Sequence, residues 1–165
     1  MDQKGLEEIN SILGGLVGQP CLGVYFSYGD ELRIDFGDRI IQIGTGQAGF
    51  TSGSWILGTR ASYWELAPHG EPVTPPEHSD SREYRVVVQV VVDTVVAHAR
   101  LISKGLILEV TFSNDYVLRV YPDPDAAEDD ICDWELFTPD KKILEVGPHD
   151  HWALSDATKP MSKSD

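Results

Sequence analysis

Residues 40–49 read IIQIGTGQAG, an aliphatic run followed by a literal G-x-G-x-x-G. How this stretch is read decides the fold class. A dinucleotide-binding turn of that spacing needs a helix directly after it, because the helix N-terminus supplies the amides and dipole that hold a pyrophosphate. Here Phe50-Thr51-Ser52-Gly53-Ser54 follows, and then the strand-like WILGT. No helical apolar stripe runs through residues 50–63, and no G-K-[ST] occurs anywhere. The motif therefore reads as a strand leading into a glycine-rich loop, and the chain around it reads as antiparallel.

The flanking pattern agrees. In residues 31–36, Leu32, Ile34 and Phe36 alternate with Glu31, Arg33 and Asp35, giving one buried and one wet face. CLGVYFS precedes it through the turn residues Tyr28-Gly29-Asp30, a hairpin signal. A third short strand is expected at 40–43, and a long bent one at 54–66 with a bulge at Gly58. Upstream, Leu6, Ile9, Leu13 and Leu16 recur at helical spacing, with Asp2 as cap and Gly18 and Pro20 as terminators, so residues 2–17 predict a helix. Residues 67–83 hold four prolines and predict an exposed connection. Residues 84–92, YRVVVQVVV, predict a strand from their valine content, with a short helical turn capped by Asp93. Residues 106–112 alternate cleanly, and Asn114-Asp115 turns the chain into YVLRVY. ICDWELFT and KILEVG complete the strands around the turn TPDK, and a polar, disordered tail is expected from Ala153.

Two stretches share the pattern F-S-x4-L-R-aliphatic, at Phe26 to Ile34 and at Phe112 to Val120. WILGT (55–59) resembles WELFT (134–138), and LVGQPCL (16–22) stands before the first hairpin as VVAHARL (95–101) stands before the second. A rival register pairs YWEL (63–66) with DWEL (133–136). The expected fold is α+β: an N-terminal helix and a mainly antiparallel sheet from two similar meander halves, residues 16–66 and 95–147, forming a twisted sheet or partly closed barrel. One domain is expected over residues 1–152, with 153–165 as the tail. In this register the glycine-rich loop corresponds to the acidic loop 121–133, and both lie at one end of the meanders.

Composition narrows the function classes. The chain has 165 residues, 27 acidic against 13 basic, and a net charge of −14. Such an average repels a phosphate backbone and attracts a basic protein. No apolar run of the length a membrane span needs is present, and the start MDQKGLEEIN lacks a signal-peptide pattern, so a cytoplasmic address is expected. Cys21 and Cys132 are read as two unpaired thiols. Seven carboxylates lie between Asp123 and Glu135 without the glycine and terminal glutamate of an EF-hand. Of these, Asp123, Asp125, Glu128, Asp129, Asp130 and Asp133 are the expected partner-binding residues. His149 and His151 would share one face of a strand, but no third ligand is identifiable and Gly147-Pro148 predicts a turn. No metal or cofactor is assigned, and with no H-E-x-x-H, C-x-x-C or G-x-S-x-G the chain reads as non-enzymatic. The alternative is a small-molecule or metal-binding module, an enzyme among the options, with a pocket between the halves lined by Trp55, Trp64 and Trp134.

DWELFTPDKKILEVGPHDHW (133–152), with LRVYP (118–122) upstream, resembles the C-terminal signature of a family of small bacterial proteins to which no activity is assigned. In those, W-x-L-F/Y-T-P-D-G leads to an aliphatic strand and V-G-P-x-x-x-W. Lys141 stands where the turn glycine is usual. Small acidic α+β proteins of this kind are similar to the immunity proteins found beside bacterial toxins. The resemblance implies a binding role and transfers no site residues.

Overall fold

The computed structural model describes residues 1–27, 29–41, 51–69, 71, 82–104, 106–126 and 130–157, with backbone alone at 82–84. The helix α1, Gln3–Gly14, is capped by the Asp2 carboxylate, which accepts from the Gly5 amide at 2.8 Å. Its stripe of Ile9, Leu13 and, just beyond, Leu16 is fully buried. Strands β1 (Cys21–Phe26), β2 (Leu32–Ile41) and β3 (Thr51–Thr59) follow, then β4 (Ser62–Pro68). A short helix α2 (Arg82–Val87) runs into a 3-10 helix (Val88–Val91). The rest are β5 (Val96–Ile102), β6 (Ile107–Phe112), β7 (Tyr116–Pro122), β8 (Trp134–Phe137), β9 (Lys142–Val146) and β10 (Trp152–Asp156). They make two antiparallel sheets, neither closed into a barrel. One has six strands in the order β1-β2-β3-β8-β9-β10, the other four in the order β4-β7-β6-β5. One apolar core takes side chains from both sheets and from the helical segments. No helix among the described residues is long and apolar enough to cross a membrane.

The two halves are similar, and they exchange strands. β1-β2-β3 is a meander completed by β8, and β5-β6-β7 is a meander completed by β4. Each half thus lends its fourth strand to the other's sheet. The register fixes the equivalence. β1 and β2 pair with a bulge between Cys21 and Gly23, where Cys21 faces Phe36; β5 and β6 bulge between Val96 and His98, where Val96 faces Phe112. Cys21 therefore matches Val96, and Phe36 matches Phe112. Reciprocal hydrogen bonds join these positions: Cys21 N–H to Thr94 O and Val96 N–H to Gln19 O, with Asp93 N–H to Cys21 O and Gly18 N–H to Val96 O. Contacts that swap roles in this way are the mark of a two-fold relation. On its axis Pro20 bridges Val95, and the rings of Phe36 and Phe112 stack at 6.4 Å.

This arrangement corrects several expectations. The repeat begins at the helices, because Leu13 and Leu16 correspond to Val88 and Val91, which are equally buried. YRVVVQVVV is accordingly helical: Val88 and Val91 face the core at three-residue spacing while Val86, Val87 and Val90 stay exposed. Asp93 does not cap a helix. It takes the left-handed conformation (φ 63) that Gly18 takes in the first half (φ 86), and β5 follows. The matching register is Phe36 with Phe112 and the WEL of β4 with the WEL of β8, the rival one. Trp64 and Trp134 are the equivalent tryptophans, both buried. Residues 54–66 form two strands on different sheets, broken at Arg60-Ala61 and not at Gly58, which pairs regularly with Arg33 and Glu135. The strands expected at 31–36 and 40–43 run together as β2 as far as Ile41, with an irregularity after Phe36; residues 42 and 43 of the second lie outside the described ones. Ala153 to Asp156 pair with β9 as β10, so the chain is ordered beyond the expected tail boundary; residues 158–165 lie outside the described ones.

The insertions also change places. In the second half Phe112 and Tyr116 flank a short turn; in the first, the matching Phe36 and Trp55 flank a long arm that carries the glycine-rich stretch. Residues 42–50 lie outside the described ones. The acidic loop joins β7 to β8 where the first half has only Arg60-Ala61 between β3 and β4. Thr51, where the chain is described again after the glycine-rich stretch, and Arg60, where the acidic loop docks, are therefore at opposite ends of β3, roughly 30 Å apart for a nine-residue strand.

Candidate functional site

The acidic loop returns to the sheet beside the end of β3. The Arg60 amide donates to Asp133 O at 2.9 Å and the Ala61 amide to Cys132 O at 3.2 Å. This docking places β8 between β3 and β9, with Trp134 and Leu136 turned into the core and Glu135 turned out. Glu135 lies directly across from Glu145 on one side and Gly58 on the other. A glycine there leaves a cleft of about 250 Å³ lined by Glu31, Arg33, Gly58, Arg60 and Glu135 among others. Arg60, 43% exposed, bridges loosely from Glu31 (3.8 Å) to Glu135 (3.6 Å).

Carboxylates dominate this corner. Cys132, Glu135 and Glu145 each bring one ligand atom to within 4.8 Å of the others. Burial raises the Cys132 thiol to about 12, with Glu135 and Glu145 adding to it. Burial also raises Glu135, opposed by Arg60 and reinforced by Glu145 and Glu31. Asp133 is pushed up to about 7, first by burial and then by Asp123. It is 3% exposed, its side chain lies against the Cα of Gly147, and its Oδ2 has no hydrogen-bond partner among the described residues. Gly147 has φ 92, and a side chain there would collide with that carboxyl.

Of the residues expected to meet a partner, Asp125 and Asp130 are exposed and Asp123 half-buried. Asp123 bonds the Asp125 amide at 2.9 Å and raises the Tyr63 hydroxyl behind burial. Asp133 points inward and cannot contact a partner directly. Glu128 and Asp129 lie outside the described residues. Sequence reasoning missed Glu31, Glu145 and Gly58. The outward positions of WEL and KILEV were the available signal, once β8 and β9 are paired. The tryptophans do not gather at an opening. Trp64 and Trp134 are core residues, and half-buried Trp55 packs on Gly15. His149 and His151 are exposed on a turn, where Asp150 pairs with the N-terminal amine. Lys141 takes the left-handed conformation (φ 60) that glycine adopts most readily.

The equivalent row on the other sheet is closed. Across β5, β6, β7 and β4 stand Arg100, Glu109, Arg119 and Glu65, alternating in sign. Arg119 Nε reaches Glu109 at 2.9 Å and its NH1 reaches Glu65 at 3.6 Å; Arg100 reaches Glu109 at 2.7 Å. Burial pushes the Glu109 carboxyl up, but the two arginines outweigh it and hold it below the usual range. In the two-fold relation Arg119 corresponds to Gly58, and Glu65 to Glu135. No family model, curated protein or solved structure matches the chain.

Proposed function

We propose that this is a cytoplasmic, non-enzymatic binding protein whose acidic corner receives a basic polypeptide, as an immunity protein does when it covers a toxin. The observation that carries this reading is that Arg60 lies between Glu31 and Glu135, Glu145 faces Glu135, and the loop bearing Asp123, Asp125 and Asp130 docks its far end on Arg60-Ala61. The net charge of −14 adds long-range attraction. Exposed carboxylates of this kind steer encounter more than they hold a complex, so the effect falls with ionic strength. The test is affinity capture from the native host at low and high salt, beside the triple variant D125N/D130N/E135Q. A basic protein retained by the natural chain at low salt and lost by the variant is the expected result. Capture of nothing, or equal capture by both chains, rejects the reading.

A further inference from the structure

We propose that Cys132, Glu135 and Glu145 bind a divalent cation of the zinc class, with the buried carboxylate of Asp133 available to complete or orient the shell. The inference does not depend on the partner reading, because it concerns side chains that already face one another.

The first observation is the donor set. The thiol of Cys132, just before β8, and the carboxylates of Glu135 on β8 and Glu145 on β9 lie within 4.8 Å of one another. Tetrahedral zinc with sulfur and oxygen ligands sets its donors roughly 3.5 Å apart, so small side-chain rotations close the site. Mixed sulfur and oxygen donors favour a borderline transition metal over magnesium or calcium, which take oxygen alone. Two donors, Glu135 and Glu145, face each other directly across the ladder, a like-charge pair that costs stability without a cation.

The second observation is Asp133. It is 3% exposed and its Oδ2 is unpartnered among the described residues. It follows Cys132 directly at the bend before β8 and lies over Gly147, two residues after Glu145. A buried carboxylate without a hydrogen bond is costly unless something positive or protic meets it.

The third is internal to the fold. On the four-stranded sheet Glu65, the counterpart of Glu135, is held together with Glu109 by a cation of the chain itself, Arg119. On the six-stranded sheet Gly58 replaces that arginine and opens the cleft beside Glu135. Arg60 reaches Glu135 only at 3.6 Å and from a position 43% exposed, so it can swing aside.

Cobalt(II) is the probe, added to the reduced full-length chain, with zinc(II) as competitor. One equivalent is expected to produce a thiolate-to-cobalt charge-transfer band that zinc abolishes. Cys132→Ser should lose the band, Glu145→Gln should weaken binding about tenfold or more, and Glu8→Gln, exposed on α1, should leave it unchanged. Circular dichroism verifies that each variant is folded. Absence of the band in the natural chain at one equivalent overturns the proposal, as does a band that persists in Cys132→Ser. Thermal stabilisation by arginine amide, with none by zinc, also overturns it and makes the cleft a guanidinium site. The purified chain alone is used, so failure here leaves the partner experiment untouched.

Discussion

The two charged rows occupy corresponding places on the two sheets and have come to opposite arrangements. On the four-stranded sheet, Arg100, Glu109, Arg119 and Glu65 neutralise one another, and the inner three are 11–14% exposed. Tyr121 adds a hydrogen bond to Glu65 at 3.1 Å. Each carboxylate in that row is met by an arginine, while Arg100 at its edge stays 63% exposed. On the six-stranded sheet the corresponding positions hold Tyr25, Arg33, Gly58 and Glu135, with Glu145 on the extra strand β9. Arg33 is engaged by Asp35 at 2.9 Å. The substitution of glycine for arginine, and the addition of a second glutamate, turn a sealed row into an acidic recess. Similar backbones thus carry a neutralised row on one sheet and an acidic recess on the other, and the difference rests on a few side chains.

Three substitutions probe this contrast. The largest effect is expected from Arg119→Met, which leaves Glu109 and Glu65 nearly buried without their shared cation. Losing one partner of such a cluster costs about 3–5 kcal/mol, read as a shift in the urea midpoint. A loss under 1 kcal/mol would mean that the row is ornamental. Next is Asp133→Asn. Its folded pKa of about 7 lies above the ordinary 3.8, so the folded state binds the extra proton between those values. Stability from this group therefore falls as pH rises from about 4 to about 7, and the full cost is present above 7. With a chelator present, the asparagine variant should be more stable by roughly 2–4 kcal/mol at pH 8 and little changed at pH 4. Equal melting of both chains at pH 8 would show that Asp133 is better satisfied than its surroundings indicate. The smallest effect is expected from Gly58→Arg, which writes the sealed row into the open sheet. A side chain there meets the flexible end of Glu135 at 3.2 Å, which can move. A gain of up to about 1 kcal/mol at low salt, shrinking with added salt, is expected, together with loss of cobalt binding. Destabilisation beyond that range would deny the equivalence of positions 58 and 119.

The sequence made much of the fold legible wherever burial follows a simple period. The α1 stripe, the inward residues of β2 and β6, and the hairpin at Asn114-Asp115 appear as expected, because one face of each element meets the core; Asp35, on the face of β2 expected to be wet, is instead buried at 2% exposure and paired with Arg33. The failure at 84–92 has a physical cause: β-branched composition favours strand, but the core reads only Val88 and Val91, and their spacing is helical. The L-x-x-L-x-G of α1 and the V-x-x-V-x-D that matches it were both visible. Asp93 in a glycine-like conformation hid the likeness. The repeat was sensed but shifted, because F-S-x4-L-R recurs by accident while the true bulge leaves no residue signature. The acidic loop was visible as composition. The recess beside it was not, since Gly58, Glu135 and Glu145 come together only when a strand from one half enters the sheet of the other.

That exchange has a further meaning. Two identical short chains trading their fourth strands would form a swapped dimer, and each would be bound to mirror every change in the other. Joined in one polypeptide, the two copies are released from that obligation. One can hold the assembly closed with Arg119 while its counterpart gives up the same residue to glycine. No homodimer could encode such an asymmetry, because a single gene would write the arginine, or the glycine, twice.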